Sequence, residues 1–285
     1  MTLAAFRAEW FKLVRRPAIW VTIGLLLALG AASGYAIPYL VATHPPANAG
    51  RSAAEFAAIR AGLYPAAFVR KSLLNASTLD GIFALILGVL AQGSEYAWGT
   101  VKTAQTQLPG RLAILTGRLT ALALLVVLMT AALFAVDALA GSVIALADGK
   151  STAYPAVAEI VKGVGAASLI FGFLAIFGFG LATLFRQSAM AIGLGLGYVL
   201  VIEILVFSLL GRLGDAVKNV HVWFPIANAG YLQQSFGQVA GVGNGGGALS
   251  GRPEADATHA VIVLGLWIMG IAFISAGLIR LRDVT

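Results

Sequence analysis

Six long apolar stretches limit the architectures that this chain can adopt. Each is close to the roughly 20 residues that a helix needs to cross the hydrocarbon core of a membrane. Lipid offers no hydrogen bonds, so a spanning segment must satisfy its own backbone polar groups, and a helix does this. We therefore predict an all-α integral membrane protein with six transmembrane helices, at about residues 19–41, 73–93, 114–140, 161–185, 189–211 and 260–279.

The composition agrees with this class of protein. Of the 285 residues, 59% are hydrophobic and only 11% are charged, and the mean hydropathy is +0.90. Soluble domains carry about 25% charged residues. The net charge of +7 does not indicate a nucleic-acid partner, because the basic residues form no block interleaved with aromatic residues. Their positions beside apolar stretches indicate contact with anionic lipid headgroups.

The first 17 residues predict a cytoplasmic amphipathic helix in the membrane interface, ahead of the six-span domain 18–285. Apolar side chains recur at helical spacing and basic ones occupy the other side. A helical continuation of the first span is the alternative, and a signal peptide fits less well because the apolar core is too long. The basic cluster places the N-terminus inside, and six spans then place the C-terminus inside too. The apolar stripe is Leu3, Phe6, Trp10 and Leu13; the cluster is Arg7, Lys12, Arg15 and Arg16.

Two loops are long enough to hold structure of their own on the outer side. Loop 43–72 carries two helix-like stretches, SAAEFAAIR and YPAAFVRKSLL. Loop 212–258 includes an aromatic part, HVWFPIANAGYLQQSF, for which we predict a short helix at the outer interface. The glycine-rich tract 237–251 that follows it is typical of a flexible linker.

The sequence contains only incomplete matches to nucleotide-binding motifs and no recognised catalytic motif. Gly149-Lys150-Ser151 ends like a P-loop, but Ile144 stands where the required glycine would be. The formal G-x-G-x-x-G match within 241–246 follows no predicted strand. Cysteine is absent, and the three histidines lie far apart in sequence, so no metal site is predicted. Nothing specific supports an enzyme.

Three acidic residues fall within the predicted spans: Asp80, Asp137 and Glu203. An ionisable residue at membrane depth is costly and is by default a candidate for function. For Asp80 and Asp137 the other interpretation is a position at the outer headgroup boundary. Glu203 lies deeper, which favours a polar cavity, an interhelical hydrogen bond, the translocation path or a dimer seam.

Small residues at helical spacing indicate close helix packing. Gly30/Gly34 and Gly193/Gly197 form G-x-x-x-G pairs, and Gly178 and other glycines thin the fourth span. A chain with 34 glycines contains many such pairs by chance. These pairs therefore assign no particular face.

The polar segment 94–118 between the second and third spans is the most distinctive part of the sequence. If its first half is helical, one side carries Glu95, Trp98, Lys102 and Gln105, which recur at steps of three or four residues. Pro109-Gly110 then forces a turn. Arg111 and Arg118 are placed to snorkel to the inner headgroups.

The chain resembles the permease subunits of ATP-binding-cassette exporters of the ABC-2 type. The resemblance covers essentially the whole chain. It is carried by the opening AEWFKLVRRPAIW, by the six-span layout, and by the pattern E-x-x-x-G-T-x-K followed by L-P-G-R between spans two and three.

The resemblance implies that this chain forms a translocation path as a dimer with a second permease copy or a homologue. A separate cytoplasmic ATPase subunit would bind ATP and magnesium, so this chain would hold no cofactor and would not itself be an enzyme. The link 94–111 would act as the coupling helix that contacts this subunit. The complex would lie in the plasma membrane of a bacterium. The coupling residues are then Glu95, Trp98, Gly99, Thr100, Lys102 and Arg111, and the outer segment near 221–236 would fold back towards the membrane.

Two other classes stay open. A secondary transporter or channel would use Asp80, Asp137 and Glu203 as ion or proton sites, although no internal repeat supports it. A membrane-embedded enzyme lacks any catalytic constellation. The exported substrate is not encoded in any motif of the sequence.

Overall fold

The computed structural model gives the protein an all-helical fold. It describes residues 2–45, 50, 52–97, 111–203, 205–206, 220–237 and 255–281, and for residues 2, 94–97 and 111 it describes the backbone alone. No strand occurs in these ranges. The predicted all-α class is confirmed for this part of the chain.

The first half of the chain forms seven α-helices in the described ranges. The helix α2 continues through a π-helical segment, Ala32–Ala36, directly into α3. Pro38 lacks the N–H that a regular helix would require, and a local π-turn accommodates that loss. The helices are α1 Thr2–Val14, α2 Pro17–Ala31, α3 Ile37–Thr43, α4 Ala53–Ala61, α5 Phe68–Leu73, α6 Leu79–Ala97 and α7 Arg111–Ala147.

The second half contributes four further α-helices to the described structure. A second π-helical segment, Tyr198–Ile202, follows α9 directly. The helices are α8 Val157–Phe185, α9 Ser188–Gly197, α10 Pro225–Gln234 and α11 Ala257–Leu281. The helices predicted within residues 43–72 and 212–258 are confirmed as α4, α5 and α10.

Four helices are long and apolar enough to cross a membrane. They are Pro17–Thr43, Leu112–Ala147, Val157–Phe185 and Ala257–Leu281. They correspond to the first, third, fourth and sixth predicted spans. The second and fifth correspond to shorter apolar helices, Leu79–Gly93 and Ser188–Ile202, so the count of six spans stays a prediction.

The core is centred on α6 and α8, which share the most extensive interhelical contact of the fold. A Cβ on Gly88 of α6 would collide with the backbone of Ala175 in α8. A Cβ on Gly178 of α8 would likewise collide with the carbonyl of Leu85. Two backbones can approach this closely only where one partner has no side chain. Phe171, Phe173 and Phe179 of α8 are fully buried in the same core.

Of the glycines in the two G-x-x-x-G pairs, only Gly30 lies in close contact with another helix. A Cβ on Gly30 would lie 3.2 Å from Leu133 Cδ1, whereas Gly34, Gly193 and Gly197 have open space around them. The close contact at Gly88 belongs to neither of the two pairs. Spacing alone therefore did not identify the packed faces.

The carboxylate of Asp148 holds α3 and α4 to the end of α7. Asp148 directly follows α7 and accepts hydrogen bonds from Arg60 Nε (2.6 Å) and Tyr64 Oη (3.0 Å). Arg60 Nη2 also pairs with Asp148 Oδ1, and Tyr39 Oη lies 3.4 Å from the same oxygen. The hydrogen bonds from Arg60 hold the pKa of Asp148 below its usual value, against the opposing effect of desolvation.

We predict that this cluster makes the protein less stable in acid. A carboxylate with a lowered pKa in the folded state contributes fully at neutral pH, and its contribution is lost as the pH falls through that pKa, in the range below about pH 4. Asp148→Asn should lower the unfolding temperature at pH 7 and flatten its decline in acid. Thermal unfolding of both chains between pH 7 and pH 3 measures this. The exposed acid Glu159 supplies the control variant Glu159→Gln, and an Asp148→Asn profile that overlays the wild-type one would refute the prediction.

Candidate functional site

The predicted coupling link lies between the end of α6 and the start of α7. Glu95 belongs to the last turns of α6, and Arg111 is the first residue of α7. Their side chains lie outside the described residues, as do Trp98, Gly99, Thr100 and Lys102. What the structure does describe is how the two flanking helices are held.

The N-terminal helix α1 packs directly onto the start of α7. A Cβ on Gly117 would lie 2.7 Å from the carbonyl carbon of Ala5, so the two helices touch through their backbones. Leu13 is buried in the core, and Phe6 and Trp10 pack against it. Leu3 remains exposed. Three of the four residues of the predicted apolar stripe therefore contact the protein itself, where we had expected the membrane interface.

A buried polar network, which we call the clamp, joins α1, α6 and α7. Arg118 of α7 donates from Nε to Glu9 Oε2 (3.1 Å) and from Nη2 to Glu9 Oε1 (3.4 Å). Its Nη1 donates to Gln92 Oε1 of α6 at 2.5 Å. Lys12 adds a bond from Nζ to Glu9 Oε1 at 2.9 Å. One guanidinium thus ties the N-terminal helix to both helices that flank the link.

The electrostatics of the clamp favour an ionised Glu9. Burial raises the pKa of Glu9, but the charge of Arg118 and the hydrogen bonds from Arg118 and Lys12 outweigh it, so the pKa lies below its usual value. Glu9 and Arg118 are 4% and 7% exposed, so neither charge relies on solvent. Arg16 strengthens the junction through Nη1, which donates to the carbonyl of Leu90 in α6 at 3.1 Å.

The position of Arg118 corrects the sequence analysis. We had expected it to snorkel to lipid headgroups, but it is buried because Glu9 and Gln92 supply acceptors inside the protein. Neither acceptor stood out in the sequence. The available signal was the single acid, Glu9, within the otherwise basic N-terminal helix.

Glu203 lies at the beginning of α10 and caps it. Its carboxylate accepts hydrogen bonds from the backbone N–H groups of Ile226 (3.2 Å) and Ala227 (2.7 Å). It also accepts one from Tyr198 Oη at 2.7 Å. The first N–H groups of a helix have no partner within the helix, and the helix dipole favours an anion there. Glu203 is 2% exposed, so this tertiary cap holds α10 from inside the protein.

The helix α10 connects further elements of the bundle. Gln233 accepts a hydrogen bond from Ser77 Oγ (2.9 Å) and donates one to the carbonyl of Leu73 (2.7 Å). Asn228 Oδ1 lies 3.2 Å from His259 Nδ1 of α11. The segment for which we predicted a return towards the membrane thus contains a short, almost wholly buried helix, and its place relative to a membrane stays a prediction.

Asp80 and Asp137 face the protein interior and are each 5% exposed. Their charges act on one another, whereas Glu203 belongs to the separate α10 cap. The structure therefore does not bring the three predicted acids together. Within the described ranges, no group of three or more His, Asp or Glu residues could hold a metal ion.

Comparison with known proteins leaves the family open. No protein-family model matches this chain. No curated protein sequence matches it either.

We predict that Glu203 is required for the order of α10. Glu203→Leu would leave the buried N–H groups of Ile226 and Ala227 without acceptors, at about 1–3 kcal/mol for each unsatisfied group. Glu203→Gln keeps one acceptor oxygen, so its effect should be smaller. Hydrogen exchange across 225–234 should become faster in the order wild type, Gln variant, Leu variant, with Glu159→Gln unchanged. Equal protection of α10 in all four chains would show that Glu203 is not the cap.

Proposed function

We propose that this chain is the permease subunit of an ATP-driven exporter of the ABC-2 type. It would form a translocation path as a dimer in the plasma membrane, with both termini in the cytoplasm and six spans per chain. A separate ATPase subunit would supply the energy. The observation that carries the proposal is the clamp at the base of the link 94–111.

A permease of this kind needs a rigid connection between the link and its spans. Force applied to the link by a partner is useful only if the flanking helices move together and do not separate. Arg118 bridges Glu9 of α1 to Gln92 of α6 across a buried contact, and Gly117 brings α1 onto α7. This geometry supports a role for α1, α6 and α7 as one mechanical unit.

The N-terminal helix also offers an exposed surface next to that unit. Leu3 and Phe11 are exposed, and so are Arg7 and Arg15, whose guanidinium lies 4.6 Å from the centre of the Phe11 ring. Mixed apolar and basic exposure suits the headgroup region of a membrane. The interfacial position predicted for residues 1–17 therefore remains part of the proposal, with this face towards the lipid in place of the stripe that packs inside.

In the proposed mechanism, ATP binding shifts an equilibrium between two arrangements of the spans. A partner can shift that equilibrium only by binding the two arrangements with different affinity. Glu95, Trp98, Gly99, Thr100, Lys102 and Arg111 would contact the ATPase subunit. The clamp would transmit the movement of the ATPase subunit to α6 and α7. ATP hydrolysis itself would take place on that subunit.

We predict that the chain, isolated from native membranes in mild detergent, carries an ATPase on a separate polypeptide. Photolabelling with azido-ATP should mark that polypeptide and leave this chain unlabelled. Glu95→Ala should retain the partner but lower the ATPase rate of the complex severalfold, because coupling is impaired. Glu159→Gln is the matched acidic control. An isolated chain without any ATP-labelled partner, or a Glu95→Ala complex with the wild-type rate, would contradict the proposal.

A further inference from the structure

A second buried polar cluster lies at the end of α6 that is remote from the link. Asp80 belongs to the first turn of α6, Asp137 to α7, and Lys71 and Ser72 to α5. Tyr35 comes from the π-helical segment Ala32–Ala36. All five side chains are at least nine-tenths buried. Five polar side chains from four separate segments thus converge in the protein interior.

Among the described residues, the charges of this cluster do not balance. Lys71 and Asp137 attract one another, and Asp80 and Asp137 repel one another. Lys71 Nζ also lies 5.9 Å from the centre of the Tyr35 ring. Two carboxylates against one ammonium leave a single negative charge. An uncompensated charge in the interior is costly and is normally neutralised.

The surrounding elements supply no second cation in the described residues. Arg70, next to Lys71, extends to Gly237, where a Cβ would lie 3.1 Å from Arg70 Cδ. Tyr154 interacts electrostatically with Tyr35, but its side chain carries no positive charge. The amino end of α6 favours a carboxylate at Asp80 through the helix dipole, but this partial charge does not replace a counter-ion.

Two oxygens in the cluster lack hydrogen bonds. Among the described residues, the buried side-chain atoms without a partner are Ser72 Oγ, Asp80 Oδ1 and Ser275 Oγ, and the first two belong here. Ser72 Oγ lies beside Tyr35 and Asp137, yet forms no hydrogen bond of acceptable geometry with either. Asp80 Oδ1 faces the first long helix, where a Cβ on Gly30 would lie 3.6 Å from it. Buried polar atoms normally have partners, and exceptions call for an explanation such as an ion.

We propose that Asp80, Ser72 and Asp137 form a binding site for one monovalent cation. A proton and an alkali-metal ion both supply the single positive charge that the cluster lacks. Carboxylate and hydroxyl oxygens are hard ligands suited to either. Lys71 is attracted to Asp137, so Asp80 is the principal ligand. The bound charge would stabilise the junction of α5, α6, α7 and the Tyr35 segment, independently of any ATPase partner.

The test compares the full chain in lipid nanodiscs as wild type, Asp80→Asn, Ser72→Ala and the control Glu159→Gln. In the alkali arm, NaCl or KCl replaces N-methylglucamine chloride at constant pH and ionic strength. In the proton arm, the pH is varied without alkali ions. The readout is the unfolding temperature from tryptophan fluorescence.

If the site holds an alkali ion, that ion should raise the unfolding temperature of the wild type by several degrees, saturably. If it holds a proton, the unfolding temperature should fall as the pH rises. In either case Asp80→Asn should lose the response, Ser72→Ala should weaken it, and Glu159→Gln should keep it.

The proposal is overturned if the wild type responds in neither arm, or if Asp80→Asn responds as the wild type does. It is also overturned if Asp80→Asn fails to fold, because asparagine removes the excess charge while keeping the shape of the side chain.

Discussion

Burial of Arg118 is the constraint that holds together the helices flanking the link 94–111. A guanidinium inside a helical bundle is tolerated only when it is paired and its donors are used. Glu9 supplies the charge and Gln92 a further acceptor, so α1, α6 and α7 must assemble together. Removing Glu9 would leave the Arg118 charge buried and without its anionic partner, at a cost of about 3–5 kcal/mol. The same contact that satisfies Arg118 therefore fixes the two ends of the link.

The remainder of the bundle relies on two other kinds of constraint. Gly88 and Gly178 let α6 and α8 meet through their backbones, which fixes the centre of the fold by shape alone. At α10, the cap by Glu203 and the bonds of Gln233 hold a short helix that could not persist in isolation. Close packing thus defines the middle of the molecule, and buried polar bonds hold the clamp and α10 in place.

The sequence predicted the helical class and the positions of the long apolar helices, because hydropathy and length directly reflect what lipid requires of a backbone. It also predicted the helices at α4, α5 and α10. It did not predict which side chains meet. Arg118 was assigned to the headgroups, since a basic residue beside an apolar span is usually there, and only its three-dimensional distance to Glu9 shows otherwise. For Glu203 a deep position was expected from the sequence, whereas Asp80 had also been assigned to the outer headgroup boundary and is in fact buried. The different neighbours of the two acids were not predicted. The contacts of the coupling residues remain predictions, because these residues, or their side chains, lie outside the described structure.

The clamp is tested most directly by exchanging its charges. Glu9→Arg and Arg118→Glu should each destabilise the full chain and uncouple the ATPase of the isolated complex, because each places two like charges together in the interior. The double variant restores one charge of each sign and should recover a large part of both losses. Unfolding temperature and ATPase rate of the four chains measure this, with Arg7→Glu on the exposed side of α1 as control. Strictly additive losses in the double variant would contradict a direct Glu9–Arg118 contact and, with it, the role of α1 as part of the coupling unit.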